Sequence, residues 1–378
     1  MKATYMQENL ERAKRYSRSK TRLTITEFVL TVAFLMIMLV SGASVGLRNI
    51  AAGRSENFSI QVGIYLVIFT VIYYLVFLGP DFYGGFLLEH KFGLSNQTLF
   101  GWAKKSGKKL LLGSAMLLIA AELLYFFLRR FPEHWWLLMT AAWFLLTIVV
   151  SKIAPVLIIP LFYKCQSVRN NALKERLVKL GENCAVHVKG VFEIQLSKDT
   201  RKANAAVAGL GKGRRILLGD TLLENYSNEE IETIFAHELG HVRLLHTWKI
   251  LAFGAAASLL SFYVTSVLFK AGLNIFGLGQ IDDIAAFPLL ALIVMLMGLT
   301  LLPLQNAYLR RLEKQADLFA LKHAQSGESF VSAITKLGNQ NLSDPSPSKW
   351  EEIFLYDHPP VSKRLDYAKQ REIKRPTA

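Results

Sequence analysis

The sequence has 378 residues, of which 52% are hydrophobic and 19% charged, and its mean hydropathy is positive. Its formal net charge of +15 raises the question of nucleic-acid binding, but no basic stripe with interleaved aromatic residues occurs, so nucleic acid is excluded as a partner. Six apolar blocks of about 20 residues or longer instead predict an integral membrane protein, because about 20 helical residues span the ~30 Å hydrocarbon layer.

Four of the apolar blocks lie in the first 162 residues, and each predicts one transmembrane helix. They are residues 28–47, 60–79, 110–128 and 135–162. The first block is longer than the 7–15 apolar residues of a signal peptide, so we expect it to be a retained helix. Residues 81–102 mix aromatic and charged side chains and predict an interfacial helix, with a seventh span as the alternative. Residues 1–162 are therefore predicted to form an N-terminal membrane domain.

A mostly polar segment follows the fourth block and predicts a small unit of helices and strands. Residues 171–183 alternate apolar and charged positions at helical spacing, whereas 191–196 and 214–218 are typical of short strands. Ser227-Asn228-Glu229-Glu230 is a capping-box pattern that predicts the start of another helix. Two further predicted transmembrane helices, 250–269 and 285–304, and a polar tail complete the second predicted domain, residues 163–378.

Basic residues are distributed unevenly between the loops. The N-terminal arm, the second loop, the polar segment after the fourth block and the C-terminal tail are rich in Lys and Arg, and the intervening loops contain few. The positive-inside rule then places both termini and residues 163–249 in the cytoplasm. Anionic membrane lipid on that face is the expected partner of the excess positive charge.

The helix that begins near Ser227 contains His237-Glu238-Leu239-Gly240-His241. At 100° per residue, the two histidines lie about 40° apart and one turn apart, so both can bind one metal ion. Glu238 lies beside them, where it can take a proton from a water molecule activated by zinc. The sequence therefore predicts a zinc site with His237 and His241 as ligands and Glu238 as the catalytic base.

A catalytic zinc ion needs a third protein ligand, and two candidates follow the motif. His246 would lie about 180° around a continuous helix from His237, so a structural role near the start of the fifth span is favoured. Glu313 and Asp317 are one helical turn apart in Glu313-Lys314-Gln315-Ala316-Asp317. This spacing suits Glu313 as a ligand and Asp317 as a second carboxylate that accepts the other N–H of a ligand histidine.

These motifs resemble those of the type I CAAX prenyl endopeptidases, integral-membrane zinc proteases that process farnesylated proteins in eukaryotes. The resemblance extends from about residue 60 to 367 and is carried by residues 236–241, by 313–317, and by Asp357-His358-Pro359-Pro360 with Arg364. Lesser matches are residues 91–95 and 214–223. The sequence departs from the family at Ala206, where an aromatic residue is common, and at Gly219, where Phe is common.

The resemblance implies a mostly α fold in which a ring of membrane helices encloses a large chamber. A zincin-like catalytic domain with a small β-sheet would place the zinc site under the cytoplasmic end of that chamber. The resemblance further implies that Asn204 and Ala205, with the strand around them, hold the substrate backbone.

His358 is a candidate for stabilising the oxyanion that forms when water attacks the substrate carbonyl. It follows Glu313 by 45 residues, at a point where two prolines stiffen the chain and prevent a helix from continuing. Zinc neutralises the developing charge only in part, and proteases of this class generally add a donor from outside the zinc helix. Asp357 and Arg364 could orient the His358 ring or share its charge. A surface turn residue is the alternative interpretation of His358.

Together, these features predict an integral-membrane zinc metalloendopeptidase that cleaves membrane-associated or lipidated, CAAX-type proteins and peptides. A protease of membrane-protein quality control is the alternative, but the shorter proteases of that kind generally place two spans before the zinc helix, and this chain has four. A scaffold or transporter with a vestigial metal site would be expected to lose Glu238 first, and Glu238 is present.

Overall fold

The computed structural model describes residues 2–186, 189–209, 213–323 and 326–373, and most of these residues are helical. The helices are α1 (Lys2–Val40), α2 (Ala43–Ala52), α3 (Phe58–Phe82), α4 (Leu88–Lys91), α5 (Leu99–Arg130), α6 (Trp135–Ile153), α7 (Ile159–Phe162), α8 (Asn171–Asn183), α9 (Asp220–Asn225), α10 (Asn228–Arg243), α11 (His246–Ile275), α12 (Phe287–His323), α13 (Gly327–Gln340), α14 (Lys349–Leu355) and α15 (Val361–Ile373). The strands are β1 (Cys165–Ser167), β2 (Gly190–Ile194), β3 (Ala205–Ala208) and β4 (Arg215–Gly219).

Six helical segments of the described chain are long and apolar enough to cross a membrane, which confirms the prediction of six spans. They are Asn9–Val40, Phe58–Lys91, Leu99–Arg130, Trp135–Phe162, His246–Ile275 and Ile284–His323. Residues 81–102 form neither a separate interfacial helix nor a seventh span. The second span continues through them as far as Lys91, and the third span begins at Leu99.

The first span ends earlier than its apolar block predicted. The block continues to residue 47, but α1 ends at Val40 and Gly42 adopts φ +74°, in the left-handed region that glycine enters at little cost. The chain then turns into α2, where the Ser44 hydroxyl donates to the Ala285 carbonyl over 2.7 Å. This hydrogen bond anchors the turn against the segment that leads into α12.

The six membrane helices form a closed ring. In order around it, α1 contacts α3, α3 contacts α5, α5 contacts α6, α6 contacts α11, α11 contacts α12, and α12 contacts α1 again. Helices α1, α3, α5 and α12 line a cavity of about 540 Å³, whose wall is mainly apolar and includes Leu35, Phe69 and Ala291. Because α11 and α12 follow the polar segment in sequence, both predicted domains contribute to the ring. The domain division at residue 162 stays a prediction.

A four-stranded mixed sheet lies in the polar segment, in the order β1-β2-β4-β3. Strands β2 and β4 pair in parallel and correspond to the two predicted strands, whereas β1 and β3 pair antiparallel at the two edges. Helix α10 packs against β3 on one side and against α12 and α13 on others. An edge strand therefore lies beside the helix that contains the two motif histidines.

The polar segment with the two motif histidines, residues 163–249, is called the catalytic segment below. Polar contacts join it to the N-terminal half of α1 and to the end of the second span. Glu89 accepts hydrogen bonds from the Tyr16 hydroxyl and forms ion pairs with Lys20 and Lys202 at 2.9 and 2.8 Å. The Leu94 carbonyl accepts from the backbone N–H of Arg201 over 2.9 Å. The N-terminal half of α1 therefore lies on the same side of the ring as the catalytic segment.

Candidate metal centre

Local sequence fixes where α10 begins and how closely it approaches α12. The Ser227 hydroxyl accepts from the Glu230 N–H, and the Glu230 carboxylate accepts from the Ser227 N–H over 2.8 Å, so the predicted capping box is confirmed. Near the other end, Gly240 lies directly against α12. A Cβ atom there would be 3.2 Å from the Ala316 Cα and 3.2 Å from the Phe319 Cβ. Glycine thus permits the two ligand-bearing helices to approach closely.

The three predicted metal ligands come together between these helices. The Nε2 atoms of His237 and His241 are 3.1 Å apart, and the Glu313 oxygens lie 3.2 Å from the first nitrogen and 3.4 Å from the second. Ligand atoms of all three residues lie within 4.8 Å of one another. Two imidazoles and one carboxylate are a common donor set of catalytic metal sites that retain an open position.

The buried oxygen of Glu313 provides a test of whether a metal ion fits this cluster. Glu313 Oε2 is inaccessible to solvent and accepts no hydrogen bond from any described residue. An unsatisfied buried carboxylate oxygen is costly, and a cation at the centre of the cluster would satisfy it. The described residues therefore fit a metal ion held by His237, His241 and Glu313.

A buried ion pair fixes the orientation of the His237 ring. Asp317 is fully buried and accepts from His237 Nδ1 over 2.9 Å, which leaves Nε2 free to bind a cation. Arg364 donates to both Asp317 oxygens, over 2.9 and 2.6 Å. Arg364 thus acts on the site through Asp317, and no direct hydrogen bond joins it to His358 among the described residues.

His246 lies in the centre as well, which sequence reasoning did not anticipate. Its position relative to His237 was inferred for one continuous helix, but α10 ends at Arg243 and Leu245 adopts φ +57°, so α11 starts in a new direction. As the first residue of α11, His246 is fully buried, and its Nδ1 lies 3.1 Å from His241 Nδ1. Only two leucines, Leu244 and Leu245, lie between the helices, and leucine does not indicate such a change of direction.

Gln315 completes the contacts of His246. Its side-chain oxygen lies 3.1 Å from His246 Nε2 and accepts a hydrogen bond from the N–H there, so His246 Nδ1 becomes the acceptor for the N–H at His241 Nδ1. The Nε2 lone pair of His241 is then free for a cation. Burial and the nearby His237 lower the pKa of His241 to about 3, and the ring is therefore neutral, as a metal ligand must be.

Glu238 lies on the side of the cluster that faces β3. Its Oε2 accepts from the Val207 N–H over 2.9 Å. Burial raises the pKa of Glu238 above its ordinary value, His237 lowers it in part, and Glu313 raises it again. A carboxylate with a raised pKa is a better general base near neutral pH than an ordinary one.

His358 reaches the centre from the segment between α14 and α15. Its Nε2 lies 3.4 Å from Glu313 Oε2, and its Nδ1 lies 2.8 Å from Asp357 Oδ1. The side chain is 56% exposed, so one face is open to a substrate. Burial opposes the charged ring, but the Asp357 hydrogen bond and the Glu313 charge outweigh it and raise the pKa of His358.

A cavity of about 320 Å³ connects these groups with the start of β3. Asn204, Ala205, Glu238 and His358 all line it. Asn204 is exposed, and Ala205 is the first residue of the edge strand. The structure therefore brings together every residue that the sequence singled out for the site.

The comparisons with known proteins cover both halves of the chain. Residues 167–372 match peptidase family M48, and residues 1–164 match the CAAX prenyl protease N-terminal domain, described as having five membrane helices. The relatives include an uncharacterized metalloprotease, YhfN, of Bacillus subtilis, which is 30% identical over 95% of this chain and 85% of its own length. CAAX prenyl protease 1 of Saccharomyces cerevisiae is 27% identical over 97% of this chain and 87% of its own length.

One solved structure supports the fold independently. The crystal structure of S. mikatae Ste24p matches with a TM-score of 0.85 at 23% identity, covering 96% of this chain and 89% of that one. The likeness confirms the predicted fold class, a membrane helical chamber with a catalytic domain. With the family match across the metal centre, it follows that the chain is a multi-pass membrane metalloprotease and belongs to peptidase family M48.

Proposed function

We propose that the chain is a zinc endopeptidase whose active site faces the cytoplasm and whose substrates include lipidated, CAAX-type proteins. The observation that carries the proposal is the cluster of His237, His241 and Glu313, with Glu238 and His358 on either side of it. Two histidines and one carboxylate form the ligand set of known zinc peptidases. Zinc bound there would supply a Lewis acid that polarises the scissile carbonyl and promotes loss of a proton from water.

Glu238 performs the proton transfers in this proposal. It takes a proton from the attacking water and later gives that proton to the amine that leaves when the peptide bond breaks. The Val207 N–H holds one carboxylate oxygen, so the other oxygen can face the water. The raised pKa of Glu238 favours the first transfer, because a base that binds its proton more firmly accepts it more readily from water. In the second transfer, the basicity of the leaving amine drives the proton from Glu238 to nitrogen.

His358 supplies positive charge to the developing oxyanion. Asp357 holds its Nδ1, so Nε2 faces the metal cluster, 3.4 Å from Glu313 Oε2. The raised pKa of His358 keeps the ring protonated to higher pH than an ordinary histidine. A preorganised donor of this kind lowers the barrier, because it requires no reorientation when the charge appears.

The edge of β3 aligns the substrate backbone. Strand β3 uses one edge to pair with β4, and the Val207 N–H on the other edge points toward Glu238. An extended peptide can add to such an edge as a further strand. Asn204 and Ala205 line the same cavity and would hold the peptide at the start of the strand.

Two observations support a lipidated substrate. Relatives that cover nearly all of the chain are named CAAX prenyl protease 1, including those of rice and yeast. The cavity within the ring of helices is mainly apolar and is large enough for part of a hydrocarbon chain.

A matched pair of peptides tests the proposal. The peptides share one CAAX-type sequence and differ only in a prenyl group on the cysteine sulfur. Purified protein in liposomes should cleave the prenylated peptide faster, lose activity with a chelator and regain it with added zinc. Equal cleavage of both peptides would show that the lipid is not recognised.

Three variants separate metal binding from catalysis. Glu238→Gln should abolish cleavage while zinc remains bound, because Glu238 is the base and not a ligand. Glu313→Ala should lose both zinc and activity, and Asp317→Ala should weaken zinc binding by about 10–100-fold. Turnover and metal content are measured together. Normal turnover of Glu238→Gln, or full zinc occupancy of Glu313→Ala at low free metal, would contradict the assignment.

A further inference from the structure

A third cavity, of about 430 Å³, lies between the N-terminal half of α1 and the end of α4. Its lining is Arg12, Arg15, Arg18, Ser19, Arg22, Lys91 and Phe92, so five of the seven side chains are cationic and none is acidic. It lies outside the metal centre, and the proposed mechanism does not use it.

Four of these cations have no anionic partner in the part of the chain that the structure describes. Arg15, Arg18, Arg22 and Lys91 are exposed and form no ion pair with the described carboxylates. Two acidic residues of the same helices are already paired, Glu89 with Lys20 and Lys202, and Glu11 with Lys14. Like charges gathered at one place repel each other, and an anion bound between them would relieve that repulsion.

The helix geometry directs the three arginines into one groove. Arg15, Arg18 and Arg22 follow at spacings of three and four residues, so they share one face of α1. Lys91, the last residue of α4, closes the groove from the other side. Arg12 already donates to the Phe92 carbonyl and ties the two helices together.

Close packing keeps the groove in place. A π-helical turn, Tyr83–Leu87, joins α3 to α4 and turns Gly84 toward α1. A Cβ atom on Gly84 would overlap the end of the Leu23 side chain, which would then have to move aside, so glycine favours this close approach. Lys20 reinforces the contact by donating to the Gly84 carbonyl over 3.0 Å.

The groove ends where exposed apolar surface begins. Ile25 and Val29 continue the arginine face of α1 and are 49% and 56% exposed. On the other helix, Leu87 precedes Lys91 by one turn and is 45% exposed. Both helices belong to membrane spans, and this end of α1 contacts the catalytic segment, because the Tyr16 hydroxyl accepts from Lys202 Nζ over 2.8 Å. The cations therefore lie at the membrane surface, with hydrocarbon-facing side chains directly beside them.

We propose that this groove binds the headgroup of an anionic phospholipid in the leaflet on the catalytic side of the membrane. The phosphate lies among Arg15, Arg18, Arg22 and Lys91, and the acyl chains run along Ile25, Val29 and Leu87. Arginine binds phosphate oxygens with paired N–H donors, which suits this headgroup. The adjoining apolar surface is what distinguishes a lipid from a free anion.

Native mass spectrometry of the purified full chain tests the site without reference to peptide cleavage. The affinity of the first bound lipid is measured for phosphatidylglycerol and for phosphatidylcholine with the same acyl chains. The triple variant Arg15→Gln, Arg18→Gln, Arg22→Gln should bind phosphatidylglycerol about 10²-fold more weakly, because each positive charge contributes about fivefold to the affinity. Binding of phosphatidylcholine should not change in this variant.

A matched control removes three charges elsewhere. Arg169, Lys179 and Lys189 are exposed residues of the catalytic segment, and changing all three to Gln should leave the affinity for phosphatidylglycerol unchanged. Equal losses in both triple variants would mean that net charge, and not this groove, attracts the lipid. An unchanged affinity in the arginine variant would also overturn the proposal.

Two further measurements complete the test. Lys91→Gln removes the cation contributed by the other helix and should weaken phosphatidylglycerol binding by about fivefold, which checks the site without altering α1. Inorganic phosphate at millimolar concentration should fail to displace the lipid, because it lacks the acyl chains. Displacement by phosphate would assign the groove to a soluble anion and overturn the lipid assignment.

Discussion

At the scale of single residues, His246 acts on the metal centre through another side chain. Gln315 fixes the proton of His246 on Nε2, and His246 in turn fixes the proton of His241 on Nδ1. Asp317 does the same for His237 from the other side. Each ligand histidine is thus held in one tautomer by a neighbour, which raises its basicity toward a metal ion.

We expect His246→Ala to weaken metal binding by about 10–100-fold, because His241 would lose the acceptor that orients its ring. Competition with a chelator of known affinity measures this change. Cobalt substituted for the native metal should show an altered visible spectrum, since the ligand geometry would change. His246→Gln keeps a side-chain acceptor and should recover part of the affinity. Unchanged affinity and spectrum in His246→Ala would show that the contact has no role.

The deprotonation of His358 should determine where activity falls on the alkaline side of the pH–rate profile. In the proposed mechanism its charged form is the donor, so activity should be lost as pH rises through its raised pKa. Asp357→Asn removes the main group that raises this pKa, so the loss should move to lower pH. Asp366→Asn removes an exposed carboxylate that pairs with Lys369 and serves as the control. A profile that does not move in Asp357→Asn would separate His358 from catalysis.

Replacing His358 itself should affect turnover more than binding. Loss of one oxyanion donor lowers turnover by about 10²–10³-fold. We therefore expect His358→Ala to retain its metal and its KM and to lose kcat in that range. Steady-state kinetics and metal analysis measure kcat, KM and metal content. A decrease in kcat of less than fivefold would favour the alternative interpretation of His358 as a surface turn residue.

At the scale of elements, the contact between α10 and α12 predicts an effect of Gly240. In Gly240→Ala, the new methyl group would lie 3.2 Å from the α12 backbone, so the helices must separate by a few tenths of an ångström. We expect weaker metal binding, because Glu313 would move away from the histidines. The thermal midpoint should change little, since the helix propensity gained, about 1 kcal/mol, offsets part of the crowding.

A second helical glycine provides the control for that experiment. Gly254 lies in α11, and a Cβ atom there would meet nothing within 4 Å. Gly254→Ala should therefore leave metal affinity unchanged. If Gly240→Ala bound metal as tightly as Gly254→Ala, close approach of the two helices would not be needed for the site.

Elements that have a clear local sequence pattern could be predicted from the sequence. Helix α8 has the predicted bounds, Asn171–Asn183, because its amphipathic pattern and Asn170 cap are local features. Strand β1 was missed because it has only three residues, and the Ala-rich, four-residue β3 was expected only from the resemblance, because it has little strand propensity of its own. Their pairing with β2 and β4 comes from tertiary contacts that a local pattern does not contain.

The site was predictable to the extent that helical spacing defines it. The spacing of the two histidines, and of Glu313 and Asp317, needs only a regular helix. The role of His246 depends on the irregular junction at Leu245, where the rotation of 100° per residue no longer applies. Sequence spacing could not give its direction, because two leucines do not specify a left-handed residue.

At the scale of the whole molecule, orientation in the membrane stays a prediction. Position 52 ends α2 and position 278 follows α11, both at one end of the ring. Position 100, at the start of α5, and position 198 lie at the other end, beside the catalytic segment. With both termini and the active site in the cytoplasm, single cysteines at 52 and 278 should react with an impermeant reagent added to intact cells. Those at 100 and 198 should react only after permeabilisation. Labelling of 198 in intact cells would reverse the topology.

The length of α12 has a mechanical consequence. This one helix lines the cavity of the ring at Met295 and carries Glu313 about 27 Å further along its axis. Pro303 interrupts its backbone hydrogen bonds between the two points and provides a pivot. Glu313 lies about 15 Å beyond Pro303, so a tilt of about 4° there would displace it by about 1 Å, and errors of that size can lower turnover about 10²-fold. We therefore expect a molecule bound in the cavity to change kcat by tilting the end of α12 that carries Glu313. Pro303→Ala should stiffen the helix and reduce this change in kcat.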